Sequence, residues 1–351
     1  MVTESEHPQE PIAPLLHLAF GALTAQVLYV AVKLGLAHEL GDGQRTTSEL
    51  SQTLGVDVHS LRRVLRGLVS LGVCTEIDGD QFGLTALGQY LRADHPDSVQ
   101  SRVLLNGEVH GVLWADLLAT VRTGESASQR VFGTSFYDYL ARNTAAGALF
   151  DRAMTGGGWV RYRFHPAIDA YDFGQFATIV DVGGGNGTFL VELLKRYPRP
   201  TGTVFDVPRL GEAARRTIEA ADLKARCTFV GGDAFESVPA NCDAYLLSNF
   251  LIGWGDDEAL VLLRNCRNAV AANGKLLLVE WIMPTGKEPK DGFRFWDTVT
   301  MDLIMLAAFG SGSGHVRTRS EFEALLGAAG FRRTAVIPTR ASVYVIEAVP
   351  V

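Results

Sequence analysis

The chain has 351 residues, with 32 basic against 39 acidic side chains and a net charge of −7. That length allows two domains, or one with a substantial appendage, and the acidic balance is unfavourable for non-specific binding to phosphate backbones. A composition of 47% apolar and 20% charged residues, with 37 glycines and 13 prolines, excludes a disordered or fibrous chain. The four cysteines, Cys74, Cys227, Cys242 and Cys266, form no CxxC pair and no metal-ligand spacing with histidine, so neither a disulfide framework nor a metal site is expected. A reducing cytoplasm is the expected compartment.

The N-terminus, MVTESEHPQEPIAP, lacks the basic and apolar order of a secretory signal and reads as a frayed arm. Leu15 to Leu36 is long enough to span hydrocarbon, but His17, Thr24, Gln26 and Lys33 interrupt it. It reads as a helix buried from several sides in an intertwined dimer, with no membrane role. Thr46 and Glu49 then have capping-box spacing, and Gly55 is placed to end that helix. A second helix through Leu61, Leu65 and Leu68 leads to VCTEI, the turn Asp78-Gly79-Asp80 and QFGL. Helix, turn, helix and hairpin is the order of a winged helix. Its three bases Arg62, Arg63 and Arg66 face five acids between residues 46 and 90, so a scaffold for dimerisation is favoured over a DNA reader.

Residues 96–175 read as helical and connecting, with an apolar stripe of Leu113, Trp114, Leu117, Leu118 and Val121. From Ala177 the texture becomes strand, glycine loop, helix and strand: TIVDVGGGNG, GTVFDV, CTFVGGD, CDAYLLSN and KLLLVEW. Alternation of this kind implies a parallel, doubly wound sheet. RTAVIPT and ASVYVIEAVPV at the tail are expected to form an antiparallel hairpin at its edge.

The strongest local feature is Asp181-Val182-Gly183-Gly184-Gly185-Asn186-Gly187, between a strand and a helix. Glycines at 183, 185 and 187 let a ligand approach the backbone closely. A dinucleotide fingerprint would need glycine at 188, which is threonine, and Asp181 would repel a diphosphate. Asp206 ends the next strand, where a carboxylate accepts from ribose hydroxyls. Asp233 ends the third, in Gly231-Gly232-Asp233-Ala234-Phe235, with Phe235 suited to lying against adenine. An acid after each of three successive strands suits an adenosine carrying a cationic amino-acid tail.

In these motifs, and in Trp254-Gly255-Asp256-Asp257-Glu258, LLLVEWIMP and Arg317-Thr318, the chain resembles the S-adenosylmethionine-dependent small-molecule O-methyltransferases of the caffeate and secondary-metabolite type. The resemblance implies an α/β fold, a Rossmann-like class I methyltransferase domain with a mostly parallel seven-stranded sheet and a C-terminal antiparallel hairpin, preceded by an all-helical winged-helix dimerisation domain. The expected division is 1–100 for dimerisation and the winged helix, 101–176 for a connector contributing to the substrate pocket, and 177–351 for the cofactor-binding domain. It also implies a homodimer, and S-adenosylmethionine held by Gly183, Asp206, Val207, Asp233, Ala234 and Ser248. Met154, Arg163, Ile252, Trp296 and Met305 fall in segments that form the acceptor pocket in such relatives.

One departure bears on mechanism. Plant-type members place a histidine two residues before the tryptophan of an H-D-W segment as general base, and here that position is Ile252. Of the two glutamates that orient such a histidine, one matches Glu280, and the other is replaced by Val316. Glu280 and His315 are the candidate replacements for the base, with His165 a weaker one. The alternative is that an already nucleophilic oxygen, carbon or nitrogen acceptor needs only proximity and alignment. Arg161 and Arg163 could then hold an anionic group on the substrate. Two other classes stay open: an enzyme that keeps the cofactor for cyclisation, rearrangement or hydroxylation, and a winged-helix DNA-binding regulator.

Overall fold

The computed structural model describes residues 12–286, 288–290 and 292–351. Most of the N-terminal arm, along with Lys287 and Asp291, lies outside the described residues. The chain divides into two compact units, one ending at Glu108 and one beginning at Val109. Most of the expected connector therefore belongs to the second unit.

In the first unit the apolar stretch forms two helices, Ala13–Ala19 and Gly21–Lys33, bent by 45° at Phe20. No single helix among the described residues is long and apolar enough to cross a membrane. Ala31 and Val32 reach the core of this unit, whereas Leu15, Leu16, Leu18, Phe20 and Leu23 are exposed. The helix Thr47–Leu54 starts on the expected capping box: Thr46 Oγ1 accepts from the Glu49 N–H and a Glu49 carboxylate oxygen accepts from the Thr46 N–H. Asp57 caps the following helix, Val58–Ser70, through the Ser60 N–H. The unit is not wholly helical. Strands β1 (Gln44–Thr46), β2 (Cys74–Ile77) and β3 (Gln81–Leu84) make a small antiparallel sheet in the order β1-β3-β2. Positive φ at Asp78 and Gly79 turns β2 into β3. Arg62 reaches Gly79 and Asp80 in this wing, and Arg66 reaches Glu76, so two of the three helix bases are paired inside the module.

In the second unit, β4 (Thr178–Val182), β5 (Thr201–Asp206), β6 (Cys227–Gly231), β7 (Cys242–Ser248), β8 (Val270–Trp281), β9 (Phe331–Pro338) and β10 (Val343–Pro350) form one sheet. Its order is β6-β5-β4-β7-β8-β10-β9. Strands β4 to β8 pair in parallel, and β10 is antiparallel to both β8 and β9. The tail hairpin therefore closes the sheet edge as expected, with β9 outermost. Side chains alternate between two apolar layers, Val180 and Val182 on one face and Ile179 on the other. Strand order reverses between β4 and β7, which opens a crevice at the carboxyl ends of the strands. The expected stripe before the sheet is broken at Asp116, between helices Gly111–Ala115 and Leu117–Thr123, leaving Leu113 buried but Leu118 and Val121 exposed.

Candidate active site

The loop after β4 enters the helix Thr188–Arg196 through glycines that side chains could not replace. Gly183 has φ +74°, and a Cβ there would come within 2.9 Å of the Phe250 ring. Asp206, at the end of β5, braces this loop: one carboxylate oxygen accepts from the Gly185 N–H at 2.8 Å and the other from the Val207 N–H at 2.6 Å. Each oxygen keeps a lone pair free, and Val207 beside it is exposed. Asp233 accepts from the Phe235 N–H at 2.8 Å, which turns the chain after β6 and leaves Gly232 flat against the Phe205 ring. Ala234 is buried and Phe235 half-buried.

Asp181 is only 1% exposed, and neither carboxylate oxygen has a hydrogen-bond partner. Burial, reinforced by the charge of Asp206, pushes it up to about 8. The Ser248 hydroxyl at the end of β7 is buried and also unpartnered. An orphaned carboxylate beneath a glycine loop costs stability unless a cation arrives to favour its charge. Its oxygens do not reach the surface, so that help is through-space charge and not contact. A glycine cradle, a buried acid and a braced ribose-type acid together fit an adenosine carrying a sulfonium.

The other side of the crevice is built differently. The short turn Leu251–Gly253 carries Ile252, which packs with Val316, Met301 and Trp281. Glu280 is 1% exposed and accepts from the N–H groups of Phe250 and Leu251 at 2.9 and 2.8 Å. Burial pushes it up to about 7, against the pull of those N–H donors and the charge of Arg317. Arg317, fully buried, donates to the carbonyls of Leu251 and Trp254 and to Asp256. One end of the turn is thus capped by an acid and the other by a base. Asp302 accepts from the Val316 N–H at 2.8 Å. The His315 ring lies back on the Ser313 carbonyl, with Nδ1 at 3.1 Å. His165 is paired with Glu192 on the cofactor helix.

Met154 and Met305 are half-buried, and Met305 packs on the same cluster as Ile252. Arg163 is 5% exposed, donates to Asp297 at 2.6 Å, and its guanidinium lies 4.1 Å from the Trp159 ring centre and 4.8 Å from that of Trp281. Its Nε and second terminal nitrogen are buried without a hydrogen-bond partner. Trp296 is 61% exposed, its ring beside Phe293. Sequence reasoning missed Asp297 and Asp302, which carry no local motif, and the clamping role of Arg317, whose only signal was its place before Thr318.

A doubly wound sheet with a glycine loop after its first strand and acids after the first three is the arrangement of class I S-adenosylmethionine-dependent methyltransferases. Comparison with known proteins agrees: residues 114–332 match the O-methyltransferase domain and residues 16–94 the O-methyltransferase dimerisation domain, so the chain belongs to the O-methyltransferase family. Among its relatives is phenazine O-methyltransferase PhzM of Lysobacter antibioticus, 40% identical over 96% of both chains. A solved structure described as LaPhzM superposes with a TM-score of 0.89 at 39% identity, covering 97% of this chain and 99% of the other. Aclacinomycin 10-hydroxylase RdmB of Streptomyces purpurascens is 35% identical over 93% of this chain and 88% of its own length.

Proposed function

We propose that this methyltransferase acts on a planar aromatic metabolite of a specialised pathway and does so without a general base. The observation that supports this reading is the turn at 251–253: Ile252, where the resemblance would put a histidine, lies in one apolar cluster with Val316, and Glu280 is engaged by two backbone N–H groups. When bound, S-adenosylmethionine supplies an electrophilic methyl group. Gly183, Gly185 and Gly187 hold its amino-acid end, Asp206 and Val207 its ribose, and Gly232, Asp233, Ala234 and Phe235 its adenine, with Ser248 on the near wall. Ile252, Met154 and Met305 exclude water and align the acceptor, so the rate comes from proximity. Glu280 and His315 are the groups whose removal tests for a hidden base.

Mass spectrometry of the reaction tests the proposal. A product heavier by one methyl group, with S-adenosylhomocysteine formed in equal amount, supports it. Turnover with the cofactor unchanged supports instead the second reading, favoured by the relative named as a 10-hydroxylase, in which the cofactor stays as an electrostatic element. The exposed apolar residues Leu15, Leu16, Leu18 and Phe20 fall at or beside the dimerisation match and are covered, on this reading, by a second copy of the chain. The winged helix serves that assembly and not nucleic acid, because Arg62 and Arg66 are paired within it. The four cysteines are free thiols, in keeping with a cytoplasmic home.

A further inference from the structure

We propose that Asp151 is a positioning residue for the cofactor: it holds the Arg209 guanidinium away from Asp206 and so keeps that acid free to accept from the ribose. This rests on the placement of the ribose at Asp206 above. Arg209 lies three residues beyond Asp206, in the single turn Pro208–Leu210 that follows β5. Pro208 packs on the end of β6, where a Cβ on Gly231 would fall 3.2 Å from the proline Cα. The turn is therefore seated, and the arginine side chain is left to choose a partner. It reaches Asp151, with Nη1 3.1 Å from Oδ2. Asp151 stands one turn before Thr155 at the end of the helix Thr144–Thr155, and its carbonyl accepts from the Thr155 hydroxyl at 2.6 Å. The Thr155 methyl faces the glycine loop: a Cβ on Gly185 would lie 3.7 Å from it. The helix end thus meets the loop that Asp206 braces, and brings a second carboxylate to the same arginine.

Two acids compete for that one cation. Burial raises the Asp206 carboxyl above its ordinary range, against the two N–H donors; the charge of Arg209 lowers it and that of Asp151 raises it. A half-buried carboxylate attracts a nearby guanidinium strongly, and a forked pair there would fill the lone pairs that ribose hydroxyls need. Among the described residues Asp206 has no ion pair, and its hydrogen bonds come from the N–H groups of Gly185 and Val207. Arg209 is held instead on the open side, its side chain 62% exposed, where an ion pair adds little to stability. What the pair with Asp151 does is direct a charge. Removing Asp151 alone sends Arg209 to Asp206, and removing both leaves the acid free again.

Calorimetric titration of the full chain with S-adenosylhomocysteine tests this through a double-mutant cycle. Asp151→Asn should weaken binding about fivefold at low salt, and the loss should fade in about 0.5 M salt, where surface ion pairs are screened. Asp151→Glu, which keeps the charge, and Arg209→Ala, which removes the competitor, should each bind within about twofold of wild type. The double variant Asp151→Asn, Arg209→Ala should regain wild-type affinity, because no cation remains to occupy Asp206. Melting temperatures of the ligand-free variants should stay together, since the pair is exposed. Wild-type affinity in Asp151→Asn overturns the assignment. So does an equal loss in Arg209→Ala with no recovery in the double variant, which describes an ordinary clasp between helix and loop. A wild type that does not bind S-adenosylhomocysteine undoes the cofactor reading, and this assignment with it.

Discussion

At the carboxyl ends of β4 and β7 the fold leaves polar atoms buried without partners: both oxygens of Asp181 and the hydroxyl of Ser248. At the end of β8 and in the loop that leads from the helix Gly292–Phe309 to Thr318, Glu280 and Arg317 are equally buried but tied to the backbone of one turn. The first region carries an unmet electrostatic demand. In the second, Glu280 and Arg317 have their hydrogen bonds and hold the backbone around Ile252 and Gly253 in place.

That contrast breaks most visibly under substitution of the scaffold. Arg317→Met leaves two carbonyls and Asp256 without their donor, and should lower unfolding free energy by about 3–5 kcal/mol in denaturant titration. At the ligand end the sign reverses. The folded pKa of Asp181 is raised, so the native state binds more protons than the unfolded one between about 4 and about 8, and stability falls as pH rises through that window. Asp181→Asn should therefore stabilise the ligand-free chain at pH 8, by about 3 kcal/mol, while weakening the cofactor. A destabilised variant would show that the acid has a partner after all. Asp206→Ala, which removes both the loop brace and the ribose acceptor, should weaken S-adenosylhomocysteine in calorimetry by about 10- to 100-fold. Unchanged affinity would mean the wrong acid has been placed at the ribose. The smallest effect belongs to His315→Ala, whose ring lies on the Ser313 carbonyl two residues back; turnover should change by less than about twofold.

Much of the candidate cofactor end, as geometry, was legible in the sequence because each of its parts is local. The glycine loop, Asp206 and Asp233 each follow a strand directly, and strand patterning fixes where a strand ends. Thr46 and Glu49 announced their helix for the same reason. The acceptor end was legible mainly as a departure from a pattern. The rest of that end depends on contacts that spacing cannot show: Arg163 meets Asp297 across 134 residues, and the Tyr137 hydroxyl lies against Gly253. The stripe through Leu113 failed for a related reason, since Asp116 divides one periodic pattern between two helices.

Single-turnover methyl transfer to an aromatic acceptor that the wild type methylates, measured on the double variant Glu280→Gln, His315→Ala, tests the central claim most directly. A glutamine side chain still offers an amide oxygen to the N–H groups of Phe250 and Leu251, so the turn keeps its shape while the buried carboxylate that caps it is gone. Base-free transfer predicts a rate within about fivefold of wild type across pH 7–9; a loss of about 100-fold or more would mean that one of the two carries the proton.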